Sequence, residues 1–87
     1  MNKSDFHIKL IHLNNGAYDV FAFNKRYLLR KETQLDGKLI KLYAEELGGN
    51  DFISLNYYPQ LQNGLLKPCE MPPEKVIEFI LELKIKQ

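Results

Sequence analysis

Pro68-Cys69-Glu70-Met71-Pro72-Pro73 runs straight into Glu74-Lys75-Val76-Ile77-Glu78-Phe79-Ile80-Leu81-Glu82-Leu83-Lys84-Ile85, and this stretch decides how the rest of the chain is read. Paired prolines suit the first turn of a helix, where the missing N–H has no partner to lose, and nothing after them breaks the run. Acids come early, and Lys84 and Lys86 come late, an order that suits the helix macrodipole. At roughly 100° per residue, Val76, Ile77, Phe79, Ile80, Leu81 and Leu83 spread over an apolar arc of about 200°, wider than one packed face requires. The spacing therefore predicts a helix over 74–85 covered on more than one side, by a sheet of this chain and, at its margin, by either a second molecule or loop 59–68.

Working outward, Asp51-Phe52-Ile53-Ser54-Leu55-Asn56-Tyr57-Tyr58 alternates as a strand does, with Ile53, Leu55 and Tyr57 on one face; Pro59 stops it. Gln60 to Lys67 reads as a loop or a short edge strand. Before it, Gly48-Gly49-Asn50 ends an element that two signals contest. Asp36-Gly37 between Leu35 and Lys38-Leu39-Ile40 marks a hairpin and makes 38–44 a strand. Leu39, Ile40, Leu42, Tyr43 and Leu47 also match a helical stripe capped at Asp36. Turn chemistry and the cost of Gly37 inside a short helix favour the hairpin.

Arg26 to Thr33 reads as a strand after a turn at Asn24-Lys25. Tyr18 to Phe23 and Phe6 to Leu13 read as two further strands joined at Asn14-Asn15-Gly16, since Asn-Gly tolerates the positive φ of a tight hairpin and Ile8 and Leu10 alternate with His7 and Lys9. The expectation is one α+β domain over 1–87: an antiparallel, meander-like sheet of four to five strands with a C-terminal amphipathic helix on one face.

Eighty-seven residues bury only about 60–65% of the unfolded surface, so the core is small and a cofactor-sized interior is not expected. A composition of 45% apolar and 26% charged residues is that of a globular domain and excludes disorder as the default. The net charge of +1 divides unevenly: residues 1–43 carry eight Lys/Arg against four Asp/Glu, and residues 44–87 carry four against seven. Such a bipolar chain can meet a partner, or its own copy, through complementary faces. One cysteine forms no internal disulfide, no stretch reaches membrane-spanning length, and the amino end lacks a signal-like apolar run; the cytoplasm is the expected location.

There is no Gly-rich phosphate loop, Cys-rich metal frame or nucleophile elbow. Cys69, a few positions before a helix N-terminus, is the candidate for a thiol enzyme, and it would need His7 or His12 as base. A lone cysteine between prolines is more often a small apolar plug. His7 and His12, five apart on a strand, point to opposite faces and do not chelate one ion; Asp5, Asp19 and Asp51 show no spacing signature.

The balance is against an enzyme and against any cofactor. The leading expectation is a binding or self-association module, a homodimer included. It acts through Leu81 and Ile85 on the margin of the C-terminal helix, with Glu78 and Glu82 in an acid row begun by Glu74. The alternative is RNA or single-stranded nucleic-acid binding through Lys25, Arg26, Tyr27, Arg30 and Lys31, with neighbouring aromatic side chains stacking on bases.

Overall fold

Ile53, Leu55 and Tyr57 are buried and the residues between them are not, so the strand read at 51–58 forms as expected and sets the polarity of the sheet. In a computed structural model that describes residues 3–85, the elements in chain order are helix α1 (Lys3–His12), strands β1 (Gly16–Ala22), β2 (Lys25–Gln34), β3 (Leu39–Glu46), β4 (Phe52–Tyr58) and β5 (Leu65–Pro68), helix α2 (Pro73–Glu82) and the two-residue strand β6 (Lys84–Ile85). Every pairing is antiparallel, and the order β5-β4-β3-β2-β1-β6 is a meander with the last strand returning to the far edge. Both helices lie on one side of it.

Turn chemistry accounts for the hairpins. Phe23 and Asn24 both take left-handed φ angles, 55° and 61°, between paired Ala22 and Lys25. This two-residue turn sits one position before the expected Asn24-Lys25, because the primed turn matches strand twist and Asn tolerates φ > 0. Around Asp36-Gly37 the hairpin prevails over the helical stripe: Gln34 pairs with Leu39 across a loop in which Gly37 has φ 88°. Residues 39–46 are therefore a strand, and Tyr43 and Leu47 face water.

The amino-terminal segment corrects the sequence reading. Residues 6–13, expected as a strand, belong largely to α1, and Asn14-Asn15-Gly16 links a helix to a strand instead of closing a hairpin. Apolar residues at 6, 8, 10, 11 and 13 satisfy both periods, and packing selects one of them. Phe6, Leu10 and Leu13 are buried while Ile8 is 55% exposed, a helical face rather than an alternation. The cause is area. Six strands about 4.8 Å apart span roughly 24 Å, and the ten residues of α2 reach only about 15 Å, so a second helix is needed to seal the sheet.

The C-terminal helix is also shorter than the expected 74–85. It ends at Glu82; Leu83 turns extended (φ −64°, ψ 145°) and is buried, and Lys84 and Ile85 pair with Phe21 and Val20 of β1. Lys86 lies outside the described residues. Nζ of Lys9 on α1 donates to the carbonyls of Leu81 and Leu83 at 2.9 and 2.7 Å, satisfying groups a longer helix would have used itself. In the same manner Lys31 Nζ donates to the carbonyls of Ile11 and Leu13 and closes the end of α1. The core joins Phe6, Leu10 and Leu13 to Val76, Phe79, Ile80 and Leu83 over the inward residues of β1–β4.

Candidate interaction surface

Both helices cover one face of the sheet, so the alternation of each strand delivers its other residues to an uncovered face. The pairing register arranges these into rows. Phe21 opposes Arg26, whose carbonyl accepts from the N–H of Leu47. Next, Asp19, Leu28, Glu45 and Phe52 stand in register, then Ala17, Arg30, Tyr43 and Ser54, then Glu32, Lys41, Asn56 and Lys67. Phe21, Tyr43 and Leu47 are exposed, Leu28 and Phe52 half-buried. The rings of Tyr43 and Phe52 stack with centroids 6.3 Å apart.

Where the outward side chains are small, at Ala17, Ser54 and Asn56, the face sinks into a concavity of about 760 Å³ walled by Arg30, Glu32, Lys41 and Tyr43. Arg30, Lys41 and Lys67 have no carboxylate within 4.0 Å among the described residues; the ion pairs there are Lys25–Glu46, Arg26–Asp19 and Lys75–Asp51. Glu32 stands opposite Lys41 in register. The face thus combines an apolar and aromatic centre with partly uncompensated positive charge.

The structure separates the residues expected to work together. Of the basic segment, Arg26 and Arg30 stand on the open face, and Lys25 at the hairpin pairs with Glu46 at 3.8 Å. Tyr27 and Lys31, on the alternate positions, point into the core. The Tyr27 ring meets Phe79 edge-on at 4.9 Å and its hydroxyl donates to Asp51 at 2.7 Å. Burial, and then that hydrogen bond, raise the Tyr27 phenol far above its ordinary value. Burial lowers Lys31 from the ordinary lysine range. Of the helix candidates, Glu78 and Glu82 are exposed on α2, Leu81 packs partly against the core, and Ile85 has left the helix for β6.

Cys69 is an exposed free thiol on the rim of the open-face concavity, its N–H donating to the Ser54 carbonyl at 3.0 Å. His7 is on the other side of the sheet, sharing a hydrogen bond with Tyr57 at 2.5 Å; His12 binds the Ile8 carbonyl one turn back. The two histidines do not meet, now because α1 separates them around its axis. Asp19 pairs with Arg26, and Asp51 takes hydrogen bonds from Lys75 and Tyr27. Among the described residues no three His, Cys, Asp or Glu side chains gather as a metal site, and no helix is long and apolar enough to cross a membrane.

Tyr43, Phe52, Ser54 and Asn56 were not singled out in the sequence. The signal was present in the outward phase of two alternating strands, 39–46 and 52–58, and it becomes readable once the inward phase is known. No family model, no curated protein and no solved structure matches the chain.

Proposed function

We propose that this chain is a cytoplasmic binding domain that works through the open face of its sheet, and that its ligand is a protein surface with apolar side chains at its centre and carboxylates at its margin. One observation carries the reading: on an uncovered face Leu28 and Phe52 share a register row, Tyr43 stacks on Phe52, and Phe21 and Leu47 flank Arg26, while Arg30, Lys41 and Lys67 have no carboxylate within 4.0 Å among the described residues. A contiguous exposed apolar area rimmed by charge is the composition of a protein interface. The free thiol of Cys69 suits a reducing compartment.

A second reading, single-stranded nucleic acid, draws on the stacked pair Tyr43 and Phe52 beside Arg30. Asp19, Glu32 and Glu45 on the same face weigh against it, since each repels a phosphate backbone.

Capture from lysate by the immobilised wild type and by Tyr43→Asp, with and without nuclease, tests both. Protein retained whether or not nuclease is present, and lost from Tyr43→Asp at unchanged melting temperature, is the expected result. Release by nuclease would favour the second reading, and an identical retained set on both baits would remove the open face from consideration.

A further inference from the structure

We infer that the cleft between the first half of α1 and the loop 59–64 binds a small neutral molecule, apolar in body and carrying one hydrogen-bond acceptor that meets Nε2 of His7. The cleft lies on the helical side of the sheet and is independent of the open face.

Its volume is about 730 Å³, within the range of small-molecule sites. The walls are mostly apolar: Phe6 and Ile8 of α1, Pro59 after β4, Leu66 of β5 and Ile77 of α2. None of the described residues that line it is a lysine, arginine, aspartate or glutamate, so nothing there compensates a formal charge taken out of water. Such walls admit a neutral ligand.

The polar groups are few and directed. Tyr57 is only 3% exposed, and its ring is met edge-on by Phe6 at 5.5 Å and by His7 at 5.6 Å, which fixes the phenol in place. Burial raises that phenol above its ordinary value, so the hydroxyl stays protonated and donates. Its acceptor is Nδ1 of His7, and a neutral imidazole that accepts at Nδ1 carries its hydrogen on Nε2. No described residue takes that second nitrogen, and among the described residues no buried side-chain nitrogen or oxygen lacks a partner, so Nε2 is open to solvent. The product is one oriented N–H donor in an apolar cleft. A carbonyl oxygen complements it; an ammonium does not.

The loop leaves room for this arrangement. Gln62 and Asn63 both take left-handed φ angles, 50° and 58°, and Gly64 follows at 106°. A Cβ on Gly64 would collide with the Tyr57 hydroxyl, so glycine is what lets the loop come this close to the phenol. Gln62 and Asn63 line the cleft and are exposed, which sets their side-chain amides at its mouth.

An NMR titration with N,N-dimethylbenzamide, a neutral ring bearing one carbonyl acceptor and no N–H, tests the inference. The probe is expected to shift the backbone amides of residues 4–8, 57–66 and 77 saturably at millimolar concentration. Toluene, which lacks the acceptor, should bind about fivefold more weakly or worse, the worth of one hydrogen bond. His7→Phe keeps a ring and removes the donor, and is expected to weaken the amide probe to the same degree at unchanged melting temperature. Should His7→Phe unfold the domain, the wild type still decides: long-range nitrogen–proton spectra are expected to place the His7 ring hydrogen on Nε2 and to show that nitrogen shifting as the probe is added. A ring hydrogen on Nδ1, toluene binding as tightly as the amide, or no saturable shift in the cleft would each overturn the inference. Tyr43→Asp, which disables the open face, is expected to bind the probe like the wild type; loss of binding there would place the probe on the open face and overturn the site.

Discussion

Lys31 and Arg30 are adjacent in sequence and opposite in consequence. Lys31 is 5% exposed, and its ammonium closes the end of α1 through the carbonyls of Ile11 and Leu13. Replacing it with alanine leaves both carbonyls without their charged donor, and urea denaturation is expected to show a loss of about 2–3 kcal/mol. Arg30→Ala, on the open face, is expected to change stability by less than about 0.5 kcal/mol. Gly64 is equally constrained: its φ is 106°, and a Cβ there would collide with the Tyr57 hydroxyl, so an alanine must disturb both loop and strand. Asp51 supplies the pH dependence at this scale. Burial pushes its carboxyl up, but hydrogen bonds from Lys75 and Tyr27 outweigh it and hold the group below the ordinary carboxylate value. A lowered folded value means that the stabilisation is complete above the unfolded pKa of about 3.9 and disappears as pH falls through the folded value. Urea midpoints between about pH 5 and pH 2 should fall less steeply in Asp51→Asn than in the wild type.

At the scale of elements, the two helices are distinguished by what closes them. α2 begins on prolines whose fixed φ suits a first turn, and it ends where Leu83 must enter the core, with Lys9 of α1 taking the carbonyls at its close. α1 closes on the ammonium of Lys31 from β2, and its amphipathic face is defined by the sheet it covers. This makes a sharp contrast between neighbouring side chains. Leu10→Ala is expected to cost about 2–5 kcal/mol because the side chain is fully buried, while Ile8→Ala should cost little. On a strand the two would share a face and respond alike. The same logic separates Leu81 from Ile85. Leu81→Glu drives a charge against the core and should lower the melting temperature by several degrees; Ile85→Glu, exposed on β6, should leave it nearly unchanged.

For the whole molecule, the significant fact is one-sided coverage. Six strands need two short helices to seal one face, and no element among the described residues covers the other. The uncovered face collects Phe21, Leu28, Tyr43, Leu47 and Phe52 with Arg30, Lys41 and Lys67, and the proposed interaction follows from that arrangement. Its molecular-scale signature is an association lost in Tyr43→Asp while the unfolding midpoint stays unchanged. If that substitution instead unfolded the domain, the face would be part of the core and the surface assignment would fail.

The amino-acid sequence by itself determined the α+β class, the antiparallel meander through 18–58, the hairpin at Asp36-Gly37 and the start of α2, because these rest on short-range causes: φ preferences of Asn, Asp and Gly, the fixed φ of proline, and alternation over uninterrupted strands. It left two of the five expected basic-segment residues on the wrong side of the sheet, since Tyr27 and Lys31 share composition with Arg26 and Arg30 and differ only in phase. Only the tertiary structure decided that 6–13 is helical, that Lys84 and Ile85 return as a sixth strand, and that Lys9 and Lys31 close the ends of the helices. Each of these depends on partners 18 or more positions away along the chain, such as Phe6 against Tyr57, Lys31 against Leu13 or Ile85 against Val20, and no local pattern records the area that must be covered or the carbonyl that must be met.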